Sequence, residues 1–281
     1  MAAPKTPAAQ GWHGSARLHF THHQGKTGAQ HYAQAPIKLQ KPLYPEGDRV
    51  CHNVLIHTAG GMVGSDRIHL NADLALESCA LITTAAANKI YRSTGATSEQ
   101  TVSLTLAPET CLEWFPLETI VFSGARFFQK QRVDLAPGAI WAGWDITRFG
   151  RSARGETFQQ GHWRSHAEVW QNNRPLWLDR QTLSGGSMTL TSRHGLAGQP
   201  VIGTLTVFGY TPNDSDLEQL RSLWPASQPG EVGITRLQQG LLCRYRGPST
   251  QAARQGFTTL WGYLRPRYLA RPACLSRVWA V

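Results

Sequence analysis

Three short turns, Leu74-Ala-Leu-Glu-Ser-Cys79, Leu106-Ala-Pro-Glu-Thr-Cys111 and Leu135-Ala-Pro-Gly-Ala139, recur along the chain at offsets of about 30 residues. Nothing else in the sequence limits the fold as tightly. Each turn closes a stretch of alternating apolar residues, such as Val102, Leu104 and Leu106 in Thr101–Leu106, which is the period of a strand with one buried face. Such a strand–turn–strand unit cannot bury its apolar face alone, whereas stacked coils bury a continuous core. The expected fold class is therefore mainly β, with β-helix-like, solenoid-like layered strands. Turns of this composition also recur in other β proteins, so repetition by itself leaves other β layouts open.

Further strands follow from the same alternation at Val201–Val207. Between Ala167 and Leu178 an apolar stretch, Asn172-Asn173 and a second stretch predict a β-hairpin, because asparagine tolerates positive φ. Two helices are expected near the C-terminus. Ser215 with Glu218 three residues on has the form of a capping box, and Leu217, Leu220 and Trp224 share one face of a helix that stops near Pro225. Ala253, Phe257, Leu260, Trp261 and Leu264 predict a second helix from about Thr250 to Leu264, ended by Pro266. Residues 1–10 read as a flexible tail and residues 11–281 as a single domain.

Composition removes several function classes. The charged share is 16%, below the roughly 25% usual for soluble domains, and the formal charge is +10. Its arginines are scattered from Arg17 to Arg277 without a basic run, so an acidic protein partner fits at least as well as nucleic acid or a membrane, among which charge alone does not choose. MAAPKTPAAQ lacks an apolar h-region, and no apolar stretch approaches a bilayer's span, so a cytoplasmic protein is expected. The five cysteines form no CxxC pair, consistent with a reducing compartment. Gly25-Lys26-Thr27 resembles the end of a phosphate-binding loop, but Phe20 stands where that loop needs glycine, so a turn between strands is expected. Neither HExxH nor GxSxG occurs. His57, ending the apolar stretch Val50–Ile56, reads as a satisfied structural histidine. Glu113 and Glu118 are either an acid–base pair or solvated strand ends. His57-Thr-Ala-Gly-Gly-Met-Val-Gly-Ser-Asp66 is either a glycine-rich strand connection or a device presenting Asp66 to a ligand.

That last segment, with Thr83–Ser93, Leu112–Phe122, Gly150–Phe158 and the closing pair Trp261–Pro266 and Arg277–Trp279, resembles in order and spacing the signature blocks of the UreD family. Departures are Ala85 where a larger residue is frequent, Asn88 where a small hydroxyl residue is common, and Ser123 where Asp is frequent. The resemblance implies a β-helix-like fold with a small helical part and a chaperone rather than an enzyme. It implies binding to apo-urease and UreF, with the GTPase UreG joining through UreF, and assistance to nickel incorporation.

No permanently bound cofactor is implied; nickel passes transiently. A conduit needs hard or borderline ligands that hold the ion weakly at several places, which suits scattered carboxylates. Asp66, Asp145 and Asp179 match acidic family positions and are the expected path-lining residues. Glu118, Glu156 and Asn88 lie within matching blocks as path or structural residues. Lys89, Tyr91, Arg92, Trp261 and Trp279 are interface candidates. The rival readings are a metal-dependent hydrolase using Glu118 or Glu156, and a basic nucleic-acid-binding module with steep salt dependence.

Overall fold

The computed structural model describes residues 11–224 and 227–279; the expected tail over residues 1–10 and the expected helix stop at Pro225 lie outside the described residues. The chain opens with a hairpin, β1 (His13–His23) and β2 (Lys26–Gln34), and the tight turn between them holds Gly25 at φ 80°. β3 (Ile37–Leu39) and β4 (Val50–His57) follow as an antiparallel pair. Coiling then proceeds through β5 (Arg67–Leu74), β6 (Cys79–Thr84), β7 (Asn88–Ile90), β8 (Ser98–Leu106) and β9 (Cys111–Phe115). It continues through β10 (Thr119–Val121), β11 (Arg126–Leu135), β12 (Ile140–Phe149) and β13 (His162–Gln171). After these come β14 (Arg174–Ser184), β15 (Val201–Phe208), α1 (Asp214–Leu223), β16 (Glu231–Leu237), β17 (Gly240–Gly247) and α2 (Thr250–Leu269).

Strands β1, β5, β8, β11 and β13 stack in parallel in a seven-stranded sheet, which β2 and β14 close antiparallel at its two edges. Strands β4, β6, β9 and β12 stack in parallel in a ten-stranded sheet, extended antiparallel by β15, β17 and β16. A narrow third face forms where β7, β10 and the end of β12 run parallel. The result is a β-solenoid of about four turns.

The recurring turns make the coils stack. Glu77, Glu109 and Gly138 occupy the same place in the three turns and share positive φ, at 62°, 57° and 78°. Each turn also bonds to the one before it: Ala107 N–H donates to Leu74 O at 3.0 Å, and Ala136 N–H donates to Leu106 O at 2.9 Å. The hairpin expected around Asn172-Asn173 is present, with both asparagines at positive φ.

The middle of the ten-stranded sheet is buried on both faces. Ala80, Ile82, Leu112 and Trp141 point inward against the seven-stranded sheet, while Cys79, Leu81, Phe115 and Trp144 point outward under the two helices. This explains why β6 and β9 are continuously buried rather than alternating. Helix α1 is capped by Asn213, whose Oδ1 accepts from Asp216 N–H at 2.8 Å, so the cap lies two residues before the expected Ser215. Helix α2 starts at Thr250 as expected, capped by Ser249, and runs through Pro266 to Leu269, beyond the expected end. Tertiary anchoring on both sides of Pro266 overrides the local penalty, since Arg265 is fully buried and Tyr268 nearly so.

The Arg265 anchor decides the fate of Glu113, which is neither a solvated strand end nor half of an acid–base pair with Glu118. Glu113 is fully buried; Arg265 Nε donates to its two oxygens at 3.0 and 3.1 Å, Trp261 Nε1 at 2.7 Å and Tyr268 Oη at 2.6 Å. Arg265 Nη1 and Nη2 each donate to Glu46 at 2.8 Å. Burial works against the guanidinium's charge, yet its bonds to Glu46 and the Glu113 charge hold its pKa above the ordinary value. Trp261, expected as an interface candidate, is 1% exposed and belongs to this core.

Arg265→Met is expected to cost about 3–5 kcal/mol, because it strands a buried carboxylate. Trp261→Ala, which removes a core indole and a donor to Glu113, is expected to cost about the same. Urea denaturation of both variants measures these losses, and midpoints equal to the parent's would contradict this account of the outer face.

Candidate functional site

The segments singled out in the sequence converge on the narrow third face. Met62, inside the glycine-rich loop, bridges in parallel to Ile90: Met62 N–H donates to Lys89 O at 2.7 Å and Tyr91 N–H to Met62 O at 2.8 Å. Gly61 is needed there, since it adopts φ 153° and a Cβ would collide with the Lys89 carbonyl. β7 pairs with β10, β10 pairs with the end of β12, and Gly150 N–H donates to Val121 O at 2.8 Å. Four blocks distant in sequence thus form one ladder along the solenoid.

Behind that ladder, between the two sheets, lies an interior cavity of about 100 Å³. Its floor on the seven-stranded sheet is a row in which Gln100, Gln129, Ser165 and Gln181 are register partners on adjacent strands β8, β11, β13 and β14. Opposite them stand Asp145 on β12 and Asn88 and Thr119 on the third face. Asp145 Oδ2 accepts from Gln129 Nε2, and its Oδ1 accepts from Thr147 Oγ1 at 3.3 Å. Gln129 Nε2 also donates to Ser165 Oγ at 3.0 Å, and Asn88 Nδ2 to Gln100 Oε1 at 3.2 Å. The bonds form a polar line through an otherwise apolar core.

Asp145 has no cation bound directly to its carboxylate among the described residues. Burial pushes its pKa up to about 6, against the bonds from Gln129 and Thr147; the Asp179 charge adds to the rise and Arg244 opposes it. Asp179 lies on the same cavity at the edge where β14 faces β15, and Arg244 Nη2 reaches its Oδ1 at 2.8 Å. The structure therefore brings Asp145, Asp179 and Asn88 together at one cavity.

Other expected residues lie elsewhere. Asp66 is 2% exposed and outside the cavity lining; its oxygens accept from Trp12 N–H at 3.2 Å and Val63 N–H at 2.7 Å, so it holds the glycine-rich loop against β1's approach. Glu118 pairs with Arg254 at 3.1 Å at the start of α2. Glu156 pairs with Arg151 and accepts from Ser123 N–H at 3.0 Å. Lys89 and Arg92 are exposed on the third face, Tyr91 is half-buried against Phe122, and half-buried Trp279 donates to Thr83 Oγ1 at 2.9 Å. His57 departs from the satisfied histidine expected: its Nε2 is buried without a partner, as is Asn88 Oδ1, and burial lowers its pKa against neighbouring Asn88 and Asp66.

Gln100, Gln129, Ser165, Thr147 and Arg244 were missed by sequence reasoning. A signal existed for the first two, since Gln100 and Gln129 stand at the same spacing before Leu106 and Leu135, the first residues of two repeating turns. A polar residue kept at an inward phase in successive coils marks a site rather than a core.

Fold and site together define a two-sheet β-solenoid with a carboxylate-bearing polar interior. The profile of the UreD urease accessory protein family matches residues 13–280. The chain is 53% identical over 274 residues to the urease accessory protein UreD of Nostoc punctiforme, covering 97% of this chain and 98% of that one. It is 53% identical over 270 residues to that of Acaryochloris marina, covering 95% of each. With that of Methylobacillus flagellatus it shares 40% over 271 residues, 95% of this chain and 94% of the relative. This chain belongs to the UreD family of urease accessory proteins. Among the described residues no helix is long and apolar enough to cross a membrane.

Asp145 has a folded-state pKa raised to about 6, above the roughly 3.9 of an unfolded aspartate, so the folded state holds the proton more tightly. Its destabilising contribution, about 3 kcal/mol, is full above pH 6 and vanishes as the pH falls towards about 4. Asp145→Asn is expected to melt higher than the parent at pH 8, with the difference closing near pH 4. Melting curves across that range test this, and parallel pH profiles for the two proteins would contradict it.

Proposed function

We propose that this protein is a cytoplasmic, non-catalytic chaperone of urease maturation and that nickel crosses it through the interior cavity. In this reading it binds apo-urease with one surface and UreF with another, while UreG joins through UreF and supplies nucleotide hydrolysis. The observation that carries the proposal is Asp145: a half-buried carboxylate on the interior cavity, short of a bound cation, facing a row of neutral oxygen and amide groups. A carboxylate left in this state favours a divalent ion, and amide and hydroxyl oxygens are ligands that release it again. Asp179 beside Gln181 and Asn88 beside Gln100 give the path two ends, at the two ends of the polar row. Asp66 is assigned to the loop rather than to ion contact, because both its oxygens serve backbone donors.

Asp145→Asn and Asp179→Asn together are expected to lower nickel per urease active site several-fold while complex recovery stays at the parent level. Asp66→Ala is expected to lower the melting temperature instead, since it orphans two backbone N–H groups. Nickel content, complex recovery and melting temperature are measured on the same preparations. Parent-level nickel in the double variant, with the complex intact, would sink the conduit.

A further inference from the structure

We infer that Glu46, His52 and Cys274 form a second cation site, one that takes a borderline divalent ion through mixed oxygen, nitrogen and sulfur ligands. Glu46 precedes β4, His52 lies on β4, and Cys274 lies in the segment that follows α2. Their ligand atoms all lie within 4.8 Å of one another, close enough for one ion to reach all three after a small shift. His52 Nε2 is 2.7 Å from Glu46 Oε1, and an ion would replace the hydrogen that bridges them.

The electrostatics favour a cation despite Arg265. Glu46 and Glu113 set two carboxylates against the single guanidinium of Arg265, which leaves one negative charge over for a cation. Those same carboxylates attract a divalent ion that displaces the thiol proton to solvent. Arg265 holds Glu113 through Nε and both Glu46 oxygens through Nη1 and Nη2, so the ion would bind Oε1 on the side where His52 now meets it, with Arg265 Nη2 still bonded to that oxygen.

Two further observations point to a ligand. Cys274 is the one cysteine of the five that is not buried. His52 also lines a cavity of about 310 Å³ between β4 and the C-terminal segment at Leu275–Arg277. That space admits the water that completes four-coordination in a three-ligand site. One thiolate, one imidazole and one carboxylate select Zn²⁺, Ni²⁺ or Co²⁺ over Mg²⁺ and Ca²⁺. The site stands independently of the proposed conduit, and its ion would tie the C-terminal segment to β4.

The test titrates the full-length reduced chain with Co²⁺ and follows thiolate-to-metal charge-transfer absorption, then displaces Co²⁺ with Zn²⁺ and Ni²⁺. One equivalent is expected in the parent and in Asp145→Asn, and none in Cys274→Ser or His52→Ala. Where a variant fails to fold, alkylation of Cys274 in the parent replaces it, and Zn²⁺ is expected to slow the reaction about ten-fold or more. No charge-transfer band, a band that survives Cys274→Ser, or an alkylation rate indifferent to Zn²⁺ would overturn the assignment.

Discussion

One buried guanidinium fixes how the helical part sits on the solenoid. Arg265 reaches Glu113 in the middle of β9, Glu46 ahead of β4 and the Pro272 carbonyl beyond α2, and its side chain has no exposure. Removing such a charge from water costs several kcal/mol, and only a full set of partners offsets it. Any slide of α2 along the sheet would break several of these bonds together, so the helix has one register. The same anchor carries α2 through Pro266 and holds Trp261 over Phe115, with ring centroids 5.2 Å apart. Outer-face packing and this network therefore act as a single unit.

That unit lets the inner face depart from good core chemistry. A solenoid optimised for stability alone would place aliphatic residues where Gln100, Gln129 and Ser165 stand, as it does at Ile68 in the same row. Buried amides cost free energy unless fully bonded, and Asn88 Oδ1 and His57 Nε2 are left without partners. Local rules fail together at one place, as expected of a site rather than of scattered imperfections. Stacking also gives the row a direction. Adjacent strands lie roughly 4.8 Å apart, so side chains of equal phase make a file running along the solenoid axis, across the strands.

How much of this was legible depends on whether the signal is local. The turns at Glu77, Glu109 and Gly138 announce themselves by composition and phase, and the solenoid follows from them. The hairpin at Asn172-Asn173 is equally local, because two residues there must take positive φ. Helix limits were less legible: Asn213 rather than Ser215 caps α1, and contacts far away in sequence outweigh Pro266 in α2. Burial of Glu113 was invisible, since its partner lies 152 residues on. The aspartates divide in the same way. Nothing local tells that Asp66 serves the backbone of Trp12 and Val63, whereas Asp145 and Asp179 meet across a cavity made by two sheets. A family likeness selects acidic positions; only the fold sorts them by what their oxygens already hold.

Under the proposed conduit, the two cavity aspartates impose different conditions on a moving ion. Asp179 is already neutralised by Arg244, which is also bonded to Thr204 Oγ1 at 2.9 Å and lies 6.0 Å from the Trp177 ring centroid. An ion at the sheet edge would exchange one cation for another, and the released guanidinium keeps partners of its own. Deeper in, Asp145 carries no such counter-charge and is fractionally protonated near neutral pH, its pKa being about 6. The ion would there displace at most a proton and gain attraction that burial has strengthened. Exchange at the edge and attraction inside draw the ion inward without any closed set of ligands to trap it. The thiol-bearing cluster at Cys274 differs, because a thiolate holds a borderline ion far more firmly than an amide oxygen does. Keeping sulfur out of the interior row and at the outer cluster thus separates transit from retention within one small protein.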